Sequence, residues 1–264
     1  MVKQISYSNY DKYHFGFITL LNKELLRFYK VSFQTIAAPI MNAMLYLLIF
    51  SQVLNDKIIY DSVGYLNFII PGLIIMTIMQ NAFSNPSSSI LQSKISGNLI
   101  FILITPLTNI EILLAYLLAA IVRGIIVGVC VFFTSYLIYN NIYIHNIYWV
   151  LSFSILASGI MGILGIIAGI YTEKYDQLAA FQNFLITPLT MLSGVFYIKG
   201  TLPKFWQQLS TLNPIFYIID GFRYGFLLKS DTSPWISLLI ATSIFIILFI
   251  YAILLLSYGN KLKN

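Results

Sequence analysis

Phe184-Leu185-Ile186-Thr187-Pro188-Leu189-Thr190-Met191-Leu192-Ser193-Gly194-Val195-Phe196-Tyr197 reads as an apolar helix with a proline in its middle and a glycine near its end. Pro188 removes one backbone donor and crowds the preceding turn, so this helix is expected to kink there. Two short amphipathic pieces follow, broken at Leu202-Pro203 and at Leu212-Asn213-Pro214, and the stretch closes on Gly221-Phe222-Arg223-Tyr224. These pieces are too short and polar to span a bilayer and too apolar for a water-exposed loop. Irregular backbone at membrane depth must be buried in protein or line a cavity, so the spacing predicts re-entrant helices over 199–230.

Composition fixes the class. The chain is 59% hydrophobic and 9% charged, with mean hydropathy +0.84. A soluble domain carries roughly 25% charged residues, so these few charges cannot cover a water-exposed surface. The net charge of +6 is scattered along apolar segments. Lipid head groups and topology explain it without nucleic acid. Cys130 is the only cysteine, which excludes an intrachain disulfide. Met1 to Asn22 has no uniform apolar stretch of the kind a signal peptide needs.

A span needs about 20 apolar residues. The chain offers them at Thr35–Gln52, Leu66–Phe83, Ile110–Tyr139, Trp149–Tyr171, Leu178–Tyr197 and Trp235–Tyr258. Tyr60, Tyr65, Tyr139, Tyr148, Trp149 and Trp235 mark their ends, as interfacial belts do. Tyr10 to Lys30 is amphipathic: Thr19, Lys23, Arg27 and Lys30 on one face, Phe17, Leu21, Leu25 and Phe28 on the other. It is expected to lie in the head-group plane. Basic residues gather in both termini and the inner turns, whereas Lys57, Lys199, Lys204, Arg223 and Lys229 fall outside, so both termini are placed in the cytoplasm. The reading is therefore an all-α membrane protein: six transmembrane helices, an N-terminal interfacial helix and re-entrant helices in the last outer loop, in a single domain over 1–264.

Between the second and third spans, Ser84-Asn85-Pro86-Ser87-Ser88-Ser89 reads as a helix start. A short helix over Ile90 to Ser96 is expected after it, ended by Gly97. Arg123 is the one cation deep in a span and should face protein, water or a carbonyl-rich kink, because exposure to lipid costs roughly 2.5–3.5 kcal/mol. Gly124 with Gly128, and Gly165 with Gly169, make small-residue faces, read as intrachain packing more than as a dimer seam. The sequence has no Gly-Lys pair and hence no phosphate loop. His14 and His145 lie apart with no Cys or carboxylate cluster, so no metal site is expected. No catalytic constellation lies within a span, which disfavours an intramembrane enzyme. A structural protein with no transport cycle is the other rival.

In their order and spacing, Thr187-Pro188-Leu189, Leu192-Ser193-Gly194-Val195-Phe196-Tyr197, Leu202-Pro203, Leu212-Asn213-Pro214 and Gly221-Phe222-Arg223-Tyr224-Gly225 resemble the ABC-2 type transporter permease family, in particular its compact YadH-like bacterial members. Lys23-Glu24, Arg27-Phe28, Asn98-Leu99 and Arg123-Gly124 extend the likeness over nearly the whole chain. The resemblance implies the membrane subunit of an exporter in the bacterial cytoplasmic (inner) membrane, a homodimer, with no cofactor of its own. ATP would be bound by a separate ABC ATP-binding subunit. It implies a coupling segment over 84–108, with Ser88, Lys94, Ile95, Gly97 and Asn98 as contacts to that subunit. It marks Pro188, Gly194, Asn213, Pro214 and Arg223 as motif residues. One departure is visible: where relatives usually carry acidic residues after Asn98-Leu99, this chain has Ile100-Phe101. The cargo implied is hydrophobic or amphipathic, with a glycan or lipid-linked polymer as the alternative.

Overall fold

The computed structural model describes residues 9–54, 58–59, 63–140 and 142–258. The chain is almost wholly helical. The N-terminal helix α1 (Asn9–Lys30) is followed by α2 (Ser32–Leu54). A two-residue antiparallel pair, β1 (Ile58–Ile59) and β2 (Val63–Gly64), leads into α3 (Tyr65–Ile95). Then come the short α4 (Leu99–Leu103), α5 (Asn109–Ile138) and α6 (Ile147–Tyr171). A broken helix follows, made of α7 (Tyr175–Phe181), a π-helical turn (Gln182–Ile186) and α8 (Thr187–Met191). The rim is formed by α9 (Lys204–Leu212) and α10 (Pro214–Leu227), and α11 (Pro234–Tyr258) closes the chain.

Five of these helices, α2, α3, α5, α6 and α11, are long and apolar enough to cross a membrane. The expected fifth span, Leu178–Tyr197, is not one helix. It ends at Met191 and turns at Gly194, whose φ of +79° only glycine adopts without strain. The kink foreseen at Pro188 appears as the π turn just before it. The Thr187 amide reaches back five residues to the Gln182 carbonyl, and the Thr187 hydroxyl donates to the same oxygen at 3.0 Å. Short helices α9 and α10 start after the foreseen breaks, with Pro203 capping one and Pro214 opening the other.

One expectation is overturned. Ser84 to Ser89 does not begin a new helix; α3 runs unbroken through Pro86 to Ile95. Around the proline, hydroxyls bond back along the helix: Ser84 to the Gln80 carbonyl at 2.9 Å, Ser87 to Phe83 at 2.8 Å and Ser88 to Ser84 at 2.6 Å.

Helix α3 is apolar around most of its circumference, and its second half is polar through hydroxyl and amide side chains and, in the last turn, Lys94. Such a helix must be enclosed. It is, chiefly by α5 and α6, so that Phe68, Ile69, Ile70, Ile75, Met79 and Phe83 have no solvent contact. Both glycine faces work within the chain. A Cβ at Gly165 would strike the Phe83 carbonyl, and one at Gly124 would sit 3.1 Å from the Ile78 carbonyl. Backbones thus approach closely enough for dispersion to hold helices that lipid would otherwise solvate equally well. By contrast, α2 and α11 expose most of their length.

Candidate functional site

The polar and strained residues fall in three places, all touching α3. At one end, α1 lies against the last turns of α3. Leu20, Glu24 and Phe28, spaced four apart, form its buried edge, while Phe17, Leu21 and Leu25 are only partly covered. Glu24 is fully buried. Its Oε1 accepts from Ser89 Oγ at 2.8 Å and lies 3.2 Å from Lys23 Nζ. Arg27 was expected on the outward cationic face. It turns inward instead: Nη1 donates to the Asn85 carbonyl at 3.1 Å and Nη2 to Ser88 Oγ at 2.6 Å. The buried Glu24 carboxylate, 3.6 Å from Arg27, supplies the reason. An open cleft of about 870 Å³ remains between the helices, lined by Lys23, Arg27, Lys30, Gln92, Ser93 and Asn98.

The five residues singled out for coupling divide between two tasks. Ser88 accepts from Arg27 and fastens α1 to α3. Lys94 Nζ donates to the Ile170 and Thr172 carbonyls at 2.7 and 3.0 Å, neutralising the carbonyl end of α6. Ile95, Gly97 and Asn98 are exposed at the turn itself, where Gly97 stops α3 with φ +73°. Beyond them α4 buries Leu99 and turns Ile100 and Phe101 outward, 59% and 63% exposed, with Ile104 alongside. The tip of this region is therefore an apolar knob beside a basic cleft. The next helix is sharply started: Thr108 and Glu111 form a reciprocal capping box at the head of α5.

In the middle, Arg123 faces protein as expected. Its guanidinium donates to the side-chain oxygens of Asn85 at 3.3 Å and Asn81 at 3.4 Å, and its carbon lies 5.8 Å from the Phe28 ring. Beside α3 a cavity of about 280 Å³ opens between α2, α3 and α8, with Asn42, Tyr46, Thr77, Gln80 and Thr187 among apolar walls.

At the other end, the motif residues converge. Arg223 is 1% exposed. Its Nη2 donates to the Gly194 carbonyl at 2.7 Å, and its guanidinium carbon lies 3.7 Å from the centre of the Phe68 ring. Gly72 leaves room for this: a Cβ there would lie 2.9 Å from the Val195 carbonyl and 3.4 Å from Arg223 Nη2. Asn213 caps α10 through the Ile215 amide and donates at 2.8 Å both to the Leu189 carbonyl and to Ser193 Oγ. The Tyr65 hydroxyl reaches the Phe196 carbonyl at 3.1 Å. Carbonyls freed by the break at Pro188 and Gly194 are thus collected by side chains from α3 and α10. Asp220, buried one turn before Arg223, accepts from the amides of Asp231 and Thr232 at 2.9 and 2.8 Å, folding the chain back towards α11.

Asn81 and Asp220 were not singled out in the sequence; Glu24 entered only within the Lys23-Glu24 likeness and Asn85 only within the expected helix start. Asp220 could have been singled out, as an acid within the apolar run of α10. Glu24 could have been as well, since it shares the four-residue spacing of Leu20 and Phe28. Nothing local marks the two asparagines as partners of an arginine about 40 residues away.

A sequence profile described as "ABC-2 type transporter" matches residues 16–227, which hold the α1 staple, Arg123 and the Arg223 clasp alike. The chain is similar to the "Inner membrane transport permease YadH" of Escherichia coli K12, 35% identical over 228 residues that cover 86% of this chain and 88% of the relative. The proteins of that name in Escherichia coli O157:H7 and Shigella flexneri match equally. The match takes in the broken helix and the clasped rim, and this chain belongs to the ABC-2 type transporter family.

Proposed function

We propose that this chain is the membrane subunit of an ATP-driven exporter in a bacterial inner membrane, with both termini cytoplasmic, working as a pair of identical copies. The observation that carries the reading is α3. It is one unbroken helix with the apolar knob and basic cleft at one end and the Arg223 clasp at the other. A push on Ile95, Ile100 and Phe101 moves the same rod whose far end, at Tyr65, Phe68 and Gly72, holds the broken helix shut. The chain carries no phosphate loop, so that push comes from a separate ATP-binding subunit seated on the cleft and knob. The fastened residues Ser88 and Lys94 make the push rigid, while Ile95, Gly97 and Asn98 meet the partner. Because Ile100 and Phe101 are exposed and uncharged, the contact is apolar where an acidic pair would have made it electrostatic.

The cavity beside α8 mixes amide, hydroxyl and aliphatic walls, which suits a hydrophobic or amphipathic cargo that sheds its water on leaving the bilayer. The test is a pull-down of the tagged chain from its own cells, followed by assay of co-purified ATP hydrolysis. Phe101→Asp should insert normally and lose the ATPase. Undiminished ATPase recovery with that variant would overturn the docking site.

A further inference from the structure

A second cavity lies away from everything described above. It is a cleft of about 120 Å³ between α5 and α6, floored by Ile74 and Ile78 of α3 and closed at one end by Phe222 and Phe226. Its lips, Val129, Ile147 and Leu151, are nearly half exposed. Gly128 leaves the floor open, since a Cβ there would strike Ile78. From Gly128 to the end of α5 at Ile138 the helix rises about 15 Å, half of a ~30 Å hydrocarbon core. Tyr136, Tyr148 and Trp149 stand at the upper end, where aromatic residues mark the head-group boundary.

At that boundary a second, smaller cavity of about 70 Å³ adjoins the cleft, with Phe226 a wall of both. It is polar. Asn67, Tyr143 and His145 line it. The His145 ring is already engaged with the Phe226 carbonyl, and the His145 and Asn146 amides both donate to the Gly225 carbonyl. Asn67 Oδ1 is buried and accepts from nothing. A buried acceptor left unmatched is unfavourable, so the cavity calls for a donor. Its volume admits a primary ammonium group.

We propose that the α5–α6 cleft seats one acyl chain of a bilayer phospholipid whose amine head group donates to Asn67. Cleft and cavity match the two halves of such a molecule at the depths where a bilayer presents them: a chain-width apolar trough within the hydrocarbon, and a lone acceptor at head-group level. A choline head group fits neither requirement, since its three methyl groups are bulkier and carry no donor. The seat requires only that α5 and α6 cross the membrane, not that an ATPase docks below.

The test uses the purified full chain in nanodiscs doped with a phospholipid bearing a diazirine in its acyl chain and either an ethanolamine or a choline head. After illumination, adducts are mapped by mass spectrometry. With ethanolamine, adducts should concentrate on 128–132 and 147–151, several-fold above those from choline. Asn67→Leu should abolish that preference, and Leu151→Trp, which fills the cleft from its exposed lip, should abolish adducts there while labelling elsewhere persists. Equal labelling by both head groups, a cleft labelled no more than the exposed Ile246–Ile250 face of α11, or labelling indifferent to Leu151→Trp would overturn the proposal.

Discussion

The two ends of α3 are held by arginines placed in opposite settings. At the rim, Arg223 is enclosed and spends its donors on backbone carbonyls of a broken helix. At the other end, Arg27 keeps a quarter of its side chain exposed and bonds one carbonyl, one hydroxyl and a neighbouring carboxylate. Charge-assisted hydrogen bonds strengthen as water is excluded. The rim is therefore the firmer of the two attachments. The α1 staple, wetted by an open cleft, can give way and re-form at little cost. A transporter needs that asymmetry: a firm barrier on one side and an accessible handle on the other.

The contrast can be broken by substitution. Arg223→Leu should have the largest effect. It leaves the Gly194 and Val195 carbonyls buried without a donor, a loss of about 3 kcal/mol, read as a marked fall in the unfolding midpoint in detergent. A cysteine placed at Ile218 should also become open to water-soluble reagents. A midpoint close to that of the parent would mean the clasp holds nothing. Arg27→Leu should cost less, about 1–2 kcal/mol, because water from the cleft can replace its hydrogen bonds at Asn85 and Ser88, and Lys23 and Ser89 remain beside the Glu24 carboxylate. An equal or greater loss than at Arg223 would invert the comparison.

How much of this was legible depends on range. The long helices follow from hydropathy, and the breaks at Pro188, Pro203 and Asn213-Pro214 from the local chemistry of proline and asparagine. All of these act within one or two turns, and all were visible. Pro86 misleads because the local chemistry of proline is overridden by the enclosure of α3 on every side. The expected span over Leu178–Tyr197 failed at its end for a related reason. An apolar run continues past Gly194, but its carbonyls are bound by Arg223 and Tyr65 rather than by its own helix. Of the three settings open to Arg123 in the sequence, the structure shows protein, with partners Asn81 and Asn85 that the sequence leaves hidden. Helix register across a packed interface joins them, and no sequence period records that. Arg27 was assigned to the wrong face for the same reason, since only the burial of Glu24 turns it inward.

The central claim is that a push on the knob at Ile95–Ile104 is delivered by α3 to the rim. It is tested most directly by placing a single cysteine at Phe222, in a Cys130→Ser background, and labelling intact cells from outside with a membrane-impermeant maleimide. Labelling should rise in energised cells relative to ATP-depleted ones. Adding Phe101→Asp should hold it at the depleted level with expression unchanged. If Phe222 labels alike in energised and depleted cells, or responds to ATP as strongly with Phe101→Asp as without it, the two ends of α3 are not coupled and the account is wrong.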